Sequence, residues 1–143
     1  MLTKKAKYGL LAMSYLAKES RKRKELIQIG ELAEKGNVPK KFLEIILLEL
    51  KKQSIVYSSM GKKGGYQLAK PASQISVGHI IRTLDGPLAS IGCVSKTAYR
   101  PCDECVDEKT CEIRKVMQAV RDATAHILDG TSLEDMIRRK VNY

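Results

Sequence analysis

Residues 29–69 read IGELAEKGNVPKKFLEIILLELKKQSIVYSSMGKKGGYQLA, and the order of patterns within them decides the fold. Ile29, Leu32 and Ala33 form a short helical pattern ended by Gly36-Asn37, a pair suited to a left-handed turn. Pro39 stands near the start of a second helix, where its missing N–H costs little. Leu43, Ile46, Leu47 and Leu50 then line one face at i, i+3, i+4 and i+7. Two helices joined through Gly36-Asn37-Val38-Pro39 make a helix-turn-helix candidate, a pattern shared with any helical hairpin. Ile55–Ser59 and Tyr66–Ala69 read as strands on either side of a Met60–Gly65 turn. A helix-turn-helix followed at once by a β-hairpin is the order of a winged helix.

Outward from this segment the chain is mostly helical. Thr3 suits the cap of a helix to about Lys18, with Tyr8, Leu11, Ala12 and Tyr15 at helical spacing. Ser20–Lys24 reads as an exposed basic loop. Beyond the hairpin, Ser76 suits the cap of a helix carrying Val77, Ile80, Ile81 and Leu84, ended by Asp85-Gly86-Pro87. Residues 91–111 show no apolar period and read as a long loop, a length that points to function or disorder. From Glu112, Ile113, Val116 or Met117, Val120, Ala123 or Thr124 and Ile127 recur every three to four residues up to Asp129-Gly130. Thr131 or Ser132 then caps a last short helix with Leu133, Met136 and Ile137.

The expected architecture is mainly α with a small β-hairpin wing. It comprises a winged helix-turn-helix domain at 1–90, a cysteine-bearing loop at 91–111, and a dimerisation helix with a short C-terminal helix at 112–143. A seam near every 3.5 residues suits helix pairing in a homodimer, and two-fold dimers match palindromic DNA sites. Packing against its own domain is the alternative for that helix.

At 143 residues and 16.0 kDa the chain is the size of one ordinary domain. No run approaches the roughly 20 apolar residues of a membrane span, and the start is too polar for a signal peptide. The expectation is therefore a cytoplasmic protein without membrane contact. Residues 1–90 hold 17 Lys/Arg against 7 Asp/Glu, whereas residues 91–143 hold 9 of each. The whole excess of +10 lies in the first two thirds, which points to a polyanion such as double-stranded DNA.

Cys93, Cys102, Cys105 and Cys111 lie within 19 residues, spaced C-x8-C-x2-C-x5-C. In a reducing cytoplasm such clustering indicates a metal, cluster or redox site rather than structural disulfides. Four thiolates also suit zinc, although the usual two C-x2-C knuckles are replaced here by one, Cys102-x2-Cys105. A thiol switch is a further alternative. A thioredoxin-like enzyme would need a depressed thiol pKa, and Asp103, Glu104, Asp107 and Glu108 oppose that. His79 and His126 lie far apart, and neither a P-loop nor a nucleophile elbow is present. The expectation is that the chain is not an enzyme.

For DNA, Lys40, Lys41, Phe42 and Glu44 open the second helix of the helix-turn-helix, where side chains face the major groove. Glu44 can accept from a cytosine amino group, and Phe42 has core packing as its alternative. Lys51, Lys62 and Lys63 suit phosphate.

These motifs resemble the IscR-type winged-helix regulators, the bacterial group that includes IscR, NsrR, RirA and CymR. Leu2-Thr3-Lys4-x-x-x-Tyr8-Gly9-Leu10 is similar to the family's first helix. Val38-Pro39-x-x-Phe42-Leu43-Glu44-x-Ile46-Leu47-x-x-Leu50 is similar to its recognition helix, and Gly61-x-x-Gly64-Gly65-Tyr66-x-Leu68-Ala69 to its wing. Ile75-Ser76-Val77-Gly78-x-Ile80-Ile81 and Leu84-Asp85-Gly86 match the helix after the wing.

The resemblance implies a dimeric transcription regulator that senses cluster status or redox or nitrosative stress through an iron–sulfur cluster, 2Fe–2S favoured and 4Fe–4S the alternative. It implies Cys93, Cys105 and Cys111 as ligands. Arg114 stands where some members have a ligating His, and Lys7 near where others offer a carboxylate. Cys102 is then the candidate fourth ligand, with a carboxylate of the loop or the partner as the alternative. Met60, immediately before Gly61, occupies the place of an Arg that enters the minor groove in many members, leaving Lys62 or Lys63 to substitute.

Overall fold

The computed structural model describes residues 2–143. Six helices and one hairpin follow in the order α1 (Lys4–Ser20), α2 (Ile29–Lys35), α3 (Lys40–Lys52), β1 (Val56–Ser59), β2 (Gly65–Leu68), α4 (Val77–Asp85), α5 (Glu112–Gly130) and α6 (Leu133–Ile137). Helical turns of the tighter 3-10 type occupy Ala72–Gln74 and Gly92–Val94, the second inside the segment expected to be all loop.

Helix starts are set by side chains that satisfy orphan backbone donors. Thr3 accepts from the Ala6 N–H, Ser76 from the His79 N–H, and Ser132 forms a reciprocal capping box with Asp135. The turn after α2 differs in detail from the expectation. Gly36 stays right-handed at φ −78, and Asn37 takes the left-handed conformation at φ 57. Asparagine tolerates that region because its short polar side chain hydrogen-bonds locally. Pro39 sits one residue before α3, as its cap.

Leu43, Ile46, Leu47 and Leu50 of α3 are all fully buried, as their spacing requires. They meet Leu32 and Val38 from the α2 side, Ile55 and Val56 at the start of the hairpin, and Ile80 and Leu84 of α4. The contribution of α1 departs from the sequence pattern. Its buried residues are Ala6, Gly9, Ala12, Met13, Leu16 and Ala17, while Leu11 is exposed. Gly9 lets α4 approach closely, and Leu11 lies on the opposite side of the helix from this stripe.

The hairpin is antiparallel, with Val56 opposite Leu68 and Ser59 opposite Gly65. Ile27 adds a single extra bridge, exchanging hydrogen bonds with Tyr66 at 2.8 and 2.9 Å. Gly65 permits it: at φ 142, a Cβ there would stand 2.5 Å from the Ile27 carbonyl oxygen.

α6 returns to the winged-helix core. Leu133 is fully buried in that core, its N–H donates to the Ile75 carbonyl at 2.7 Å, and Arg21 pairs with Glu134. Among the described residues, no helix is long and apolar enough to cross a membrane.

Candidate functional site

Two surfaces carry the chemistry. On α3, burial of the Leu/Ile stripe turns Lys40, Lys41, Glu44, Lys51 and Lys52 outward, all exposed. Phe42 is 42% exposed and lies at the edge of this face, its ring 5.3 Å from that of Tyr8 and tilted by 55°. It is therefore neither enclosed in the core nor free, and α1 braces it.

Ile45 and Leu48 are 55% and 54% exposed in the middle of the same face. Neither was singled out by sequence. The signal was present as an apolar run too wide for one buried stripe: Leu43, Ile45, Ile46, Leu47 and Leu48 cannot all face inward on one helix.

The wing presents Met60, Gly61, Lys62 and Lys63 to solvent, with Met60 97% exposed. Gly61 takes φ 102, and the Gln28 side-chain amide donates to the Lys62 carbonyl at 3.2 Å. That bond ties the wing tip to the segment before α2, holding two lysine side chains on a braced loop.

The second surface lies at the N-terminal end of α5. Cys93, Cys102, Cys105 and Cys111 all line one cavity of about 690 Å³, together with Arg100 and Arg114. Cys93 is buried in the turn Gly92–Val94, which packs on α5. Cys111 caps α5, its sulfur accepting from the Arg114 N–H at 3.4 Å. Cys102 and Cys105 are exposed on the intervening loop, which is pinched where the Cys105 N–H donates to the Cys102 carbonyl at 3.2 Å. Among the described residues no group of three or more His, Cys, Asp or Glu side chains is close enough to hold a metal ion, and the four thiols are spread over the lining of one cavity.

Electrostatics distinguish the cavity walls. The Cys102 thiol donates to the Glu104 carboxylate at 3.1 Å, which pushes its pKa up. Desolvation by the loop raises the Cys105 thiol, with the Glu108 carboxylate adding to it. Both shifts oppose the activation that a nucleophilic C-x2-C pair needs. Arg114 projects from the first turn of α5 toward the Cys93 carbonyl at 3.5 Å and Glu108 at 3.8 Å. Glu108 also accepts from the Tyr99 hydroxyl, so it is already engaged.

A chemical fit to a thiolate-held cluster follows from this donor set. Four thiols share one cavity, two arginines line it to offset thiolate charge, and a helix start directs N–H groups at Cys111.

Comparison with known proteins places these features. Residues 2–139 match the Rrf2 family, described as iron-dependent transcriptional regulator. An rrf2-like protein of Rhodobacter capsulatus, named as an HTH-type transcriptional regulator, is 43% identical over 138 residues, covering 96% of this chain and 92% of that one. The structure of CymR, the global cysteine regulator of B. subtilis, superposes with a TM-score of 0.78 at 27% identity, covering 98% of each chain. The T. potens IscR structure superposes with a TM-score of 0.67 at 28% identity, covering 97% of this chain and 87% of that one. A winged-helix architecture with this basic helix-turn-helix face, matched over almost its whole length, makes the chain a member of the Rrf2 family of DNA-binding transcriptional regulators.

Proposed function

We propose that the chain is a homodimeric regulator whose DNA binding is set by an iron–sulfur cluster held by Cys93, Cys105, Cys111 and Cys102. The observation that carries this reading is the convergence of all four cysteines on one cavity at the start of α5. The family's description as iron-dependent supports it, as does the similarity to IscR. When bound, the cluster supplies a centre that exchanges electrons and is lost or modified by oxidants. The chain's own residues translate that state. Cys111 fixes the start of α5, Cys93 fixes the turn packed on it, and the Cys102–Cys105 loop closes over the cavity between them.

Cys102 is the fourth ligand in this reading because it is the one further thiol lining the same cavity, while several of the loop's carboxylates are engaged. Glu104 accepts from Cys102, Glu108 from Tyr99, and Asp107 from the Lys109 N–H at 3.0 Å. On the DNA side, Lys40, Lys41, Phe42 and Glu44 enter the major groove with Ile45 and Leu48, while Lys51, Lys62 and Lys63 meet phosphate and Met60-Gly61 forms the wing tip. Dimerisation runs along α5, where Ile113, Val116 and Val120 are 68%, 62% and 45% exposed.

The test is iron, acid-labile sulfide and zinc per chain on protein purified without oxygen, with its visible spectrum. Equal, stoichiometric iron and sulfide, lost in a Cys93→Ala/Cys105→Ala/Cys111→Ala variant, is the expected result. Zinc at one per chain would make the loop structural. Neither metal, with oxidant-dependent loss of thiols, would favour a thiol switch, a reading to which the exposed Cys102–Cys105 pair lends itself.

A further inference from the structure

A second cavity lies between α4, the start of the cysteine segment and α5. Its volume is about 220 Å³, and its polar lining is Arg82, Ser95, Lys96, Thr97, Arg121 and Asp129. Arg121 is the unusual member. It projects from the domain-facing side of α5, and its side chain is 9% exposed. One guanidinium nitrogen reaches the neighbouring Asp122, whose carboxylate stands mostly in solvent, while Nε is sealed from solvent and has no acceptor. Nε therefore faces protein rather than the cavity, and it is another part of the Arg121 side chain that lines the space.

Beside Arg121, the lining carries the donors Arg82, Lys96, Ser95 and Thr97, one carboxylate and an apolar wall that includes Leu88 and Ala125. Lys96 is exposed at the cavity and has no carboxylate partner among the ion pairs of the described residues. Ser95 is 8% exposed, and its hydroxyl accepts from the Ala98 N–H at 2.9 Å, leaving its own proton free to donate. The cavity's one carboxylate, Asp129, is held by Arg82 through two hydrogen bonds of 2.5 and 2.8 Å and does not neutralise Arg121. The space corresponds to roughly seven waters at their share of liquid volume, below the usual size of a drug-like pocket.

We propose that this cavity binds a small anion, a carboxylate or an inorganic oxyanion, through Arg121, Lys96 and Ser95. A planar guanidinium fork, an ammonium and a hydroxyl donor recognise that chemistry and reject cations. The site is distinct from the cysteine cavity and stands whether or not a cluster is present. Ser95 lies two residues after Cys93, and the Arg82–Asp129 pair that joins α4 to α5 lines the same cavity.

The experiment is calorimetric titration of the full-length chain with acetate and, separately, with inorganic phosphate in low-chloride buffer. The variants are Arg121→Gln, Lys96→Ala, and a Lys62→Ala/Lys63→Ala wing control. Saturable binding of at least one probe is expected at one per chain, weakened tenfold or more by Arg121→Gln and by Lys96→Ala and unchanged in the wing control. Acetate alone assigns a carboxylate, and phosphate alone an oxyanion. Lys96 is exposed, so its variant decides the matter even if Arg121→Gln disturbs folding. Saturation by neither probe, full affinity in Lys96→Ala, or loss of binding in the wing control overturns the site.

Discussion

Helices α3 and α5 each leave an apolar strip uncovered, and they differ in what surrounds it. On α3, Ile45 and Leu48 stand among Lys41, Lys51 and Lys52, with Glu44 the acidic exception. On α5, Ile113, Val116 and Val120 stand among Glu112, Lys115, Gln118 and Asp122, which together come close to neutral at a single negative charge. The apolar area alone does not name the occupant. A cationic surround suits a polyanion whose base edges carry methyl groups, whereas a neutral surround suits a second copy of the same chain. The split of net charge, +10 before residue 91 and zero after it, repeats this contrast along the whole sequence.

The contrast breaks most visibly at Val120. In a dimer paired along α5, as proposed above, Val120→Glu would put a charge into the apolar seam of each chain. That costs several kcal/mol, and self-association should weaken about 100-fold or more. Sedimentation should show one chain where the parent shows two, with the helical circular dichroism retained. A variant that still sediments as a dimer would place the interface elsewhere.

On α3 the corresponding change is Leu48→Ala. It should leave the dimer intact and cost roughly 1 kcal/mol or more at a specific site, about tenfold in affinity. Binding to random-sequence DNA should stay the same. Equal losses on both DNAs in a fluorescence-anisotropy titration would remove Leu48 from base readout.

Lys62→Ala probes the charge that surrounds the α3 strip rather than the strip itself. The slope of log affinity against log salt should fall by about 1, with a severalfold loss at low salt. An unchanged slope would take Lys62 off the phosphate backbone.

The smallest effect lies on the covered side of α5. Its hydrogen bonds with Arg82 hold the Asp129 carboxyl below its ordinary 3.8. A depressed folded pKa gives stability that is present above 3.8 and lost as pH falls from there through the folded value. The Asp129 side chain is 44% exposed, so the pair contributes about 0.5 kcal/mol after screening. The urea midpoint of Asp129→Asn should match the parent at low pH and fall slightly below it at pH 7.

Much of this fold was legible because large apolar residues at regular spacing leave few alternatives. Leu43, Ile46, Leu47 and Leu50 fixed α3, and Ser76 with Val77, Ile80 and Ile81 fixed α4. α1 was less legible because four of its six buried residues, Ala6, Gly9, Ala12 and Ala17, are too small to weigh in a hydropathy pattern, leaving Met13 and Leu16 to mark the face. The Ile27 bridge was missed because one residue has no period. Convergence of the cysteines was suggested by their spacing and the family resemblance, whereas the Arg121 cavity had no local signal. Arg121 reads as an ordinary polar position on an amphipathic helix, and its burial comes from Ser95–Thr97 and α4, distant in sequence.

One feature of α5 bears on how any signal travels. Its C-terminal end is fastened, since Asp129 packs against Gly78, where a Cβ would stand 2.1 Å from the carboxylate, and Leu133 is locked in the core just beyond. Its other end begins at Cys111 in the cysteine loop. Nineteen residues at about 1.5 Å each give a rod of roughly 28 Å. The helix is thus a lever with its fulcrum at Gly78 and its handle at Cys111. In the proposed dimer, a rearrangement among the thiols would displace Ile113 and Val116 more than the fastened end, so the partner would meet a change of angle.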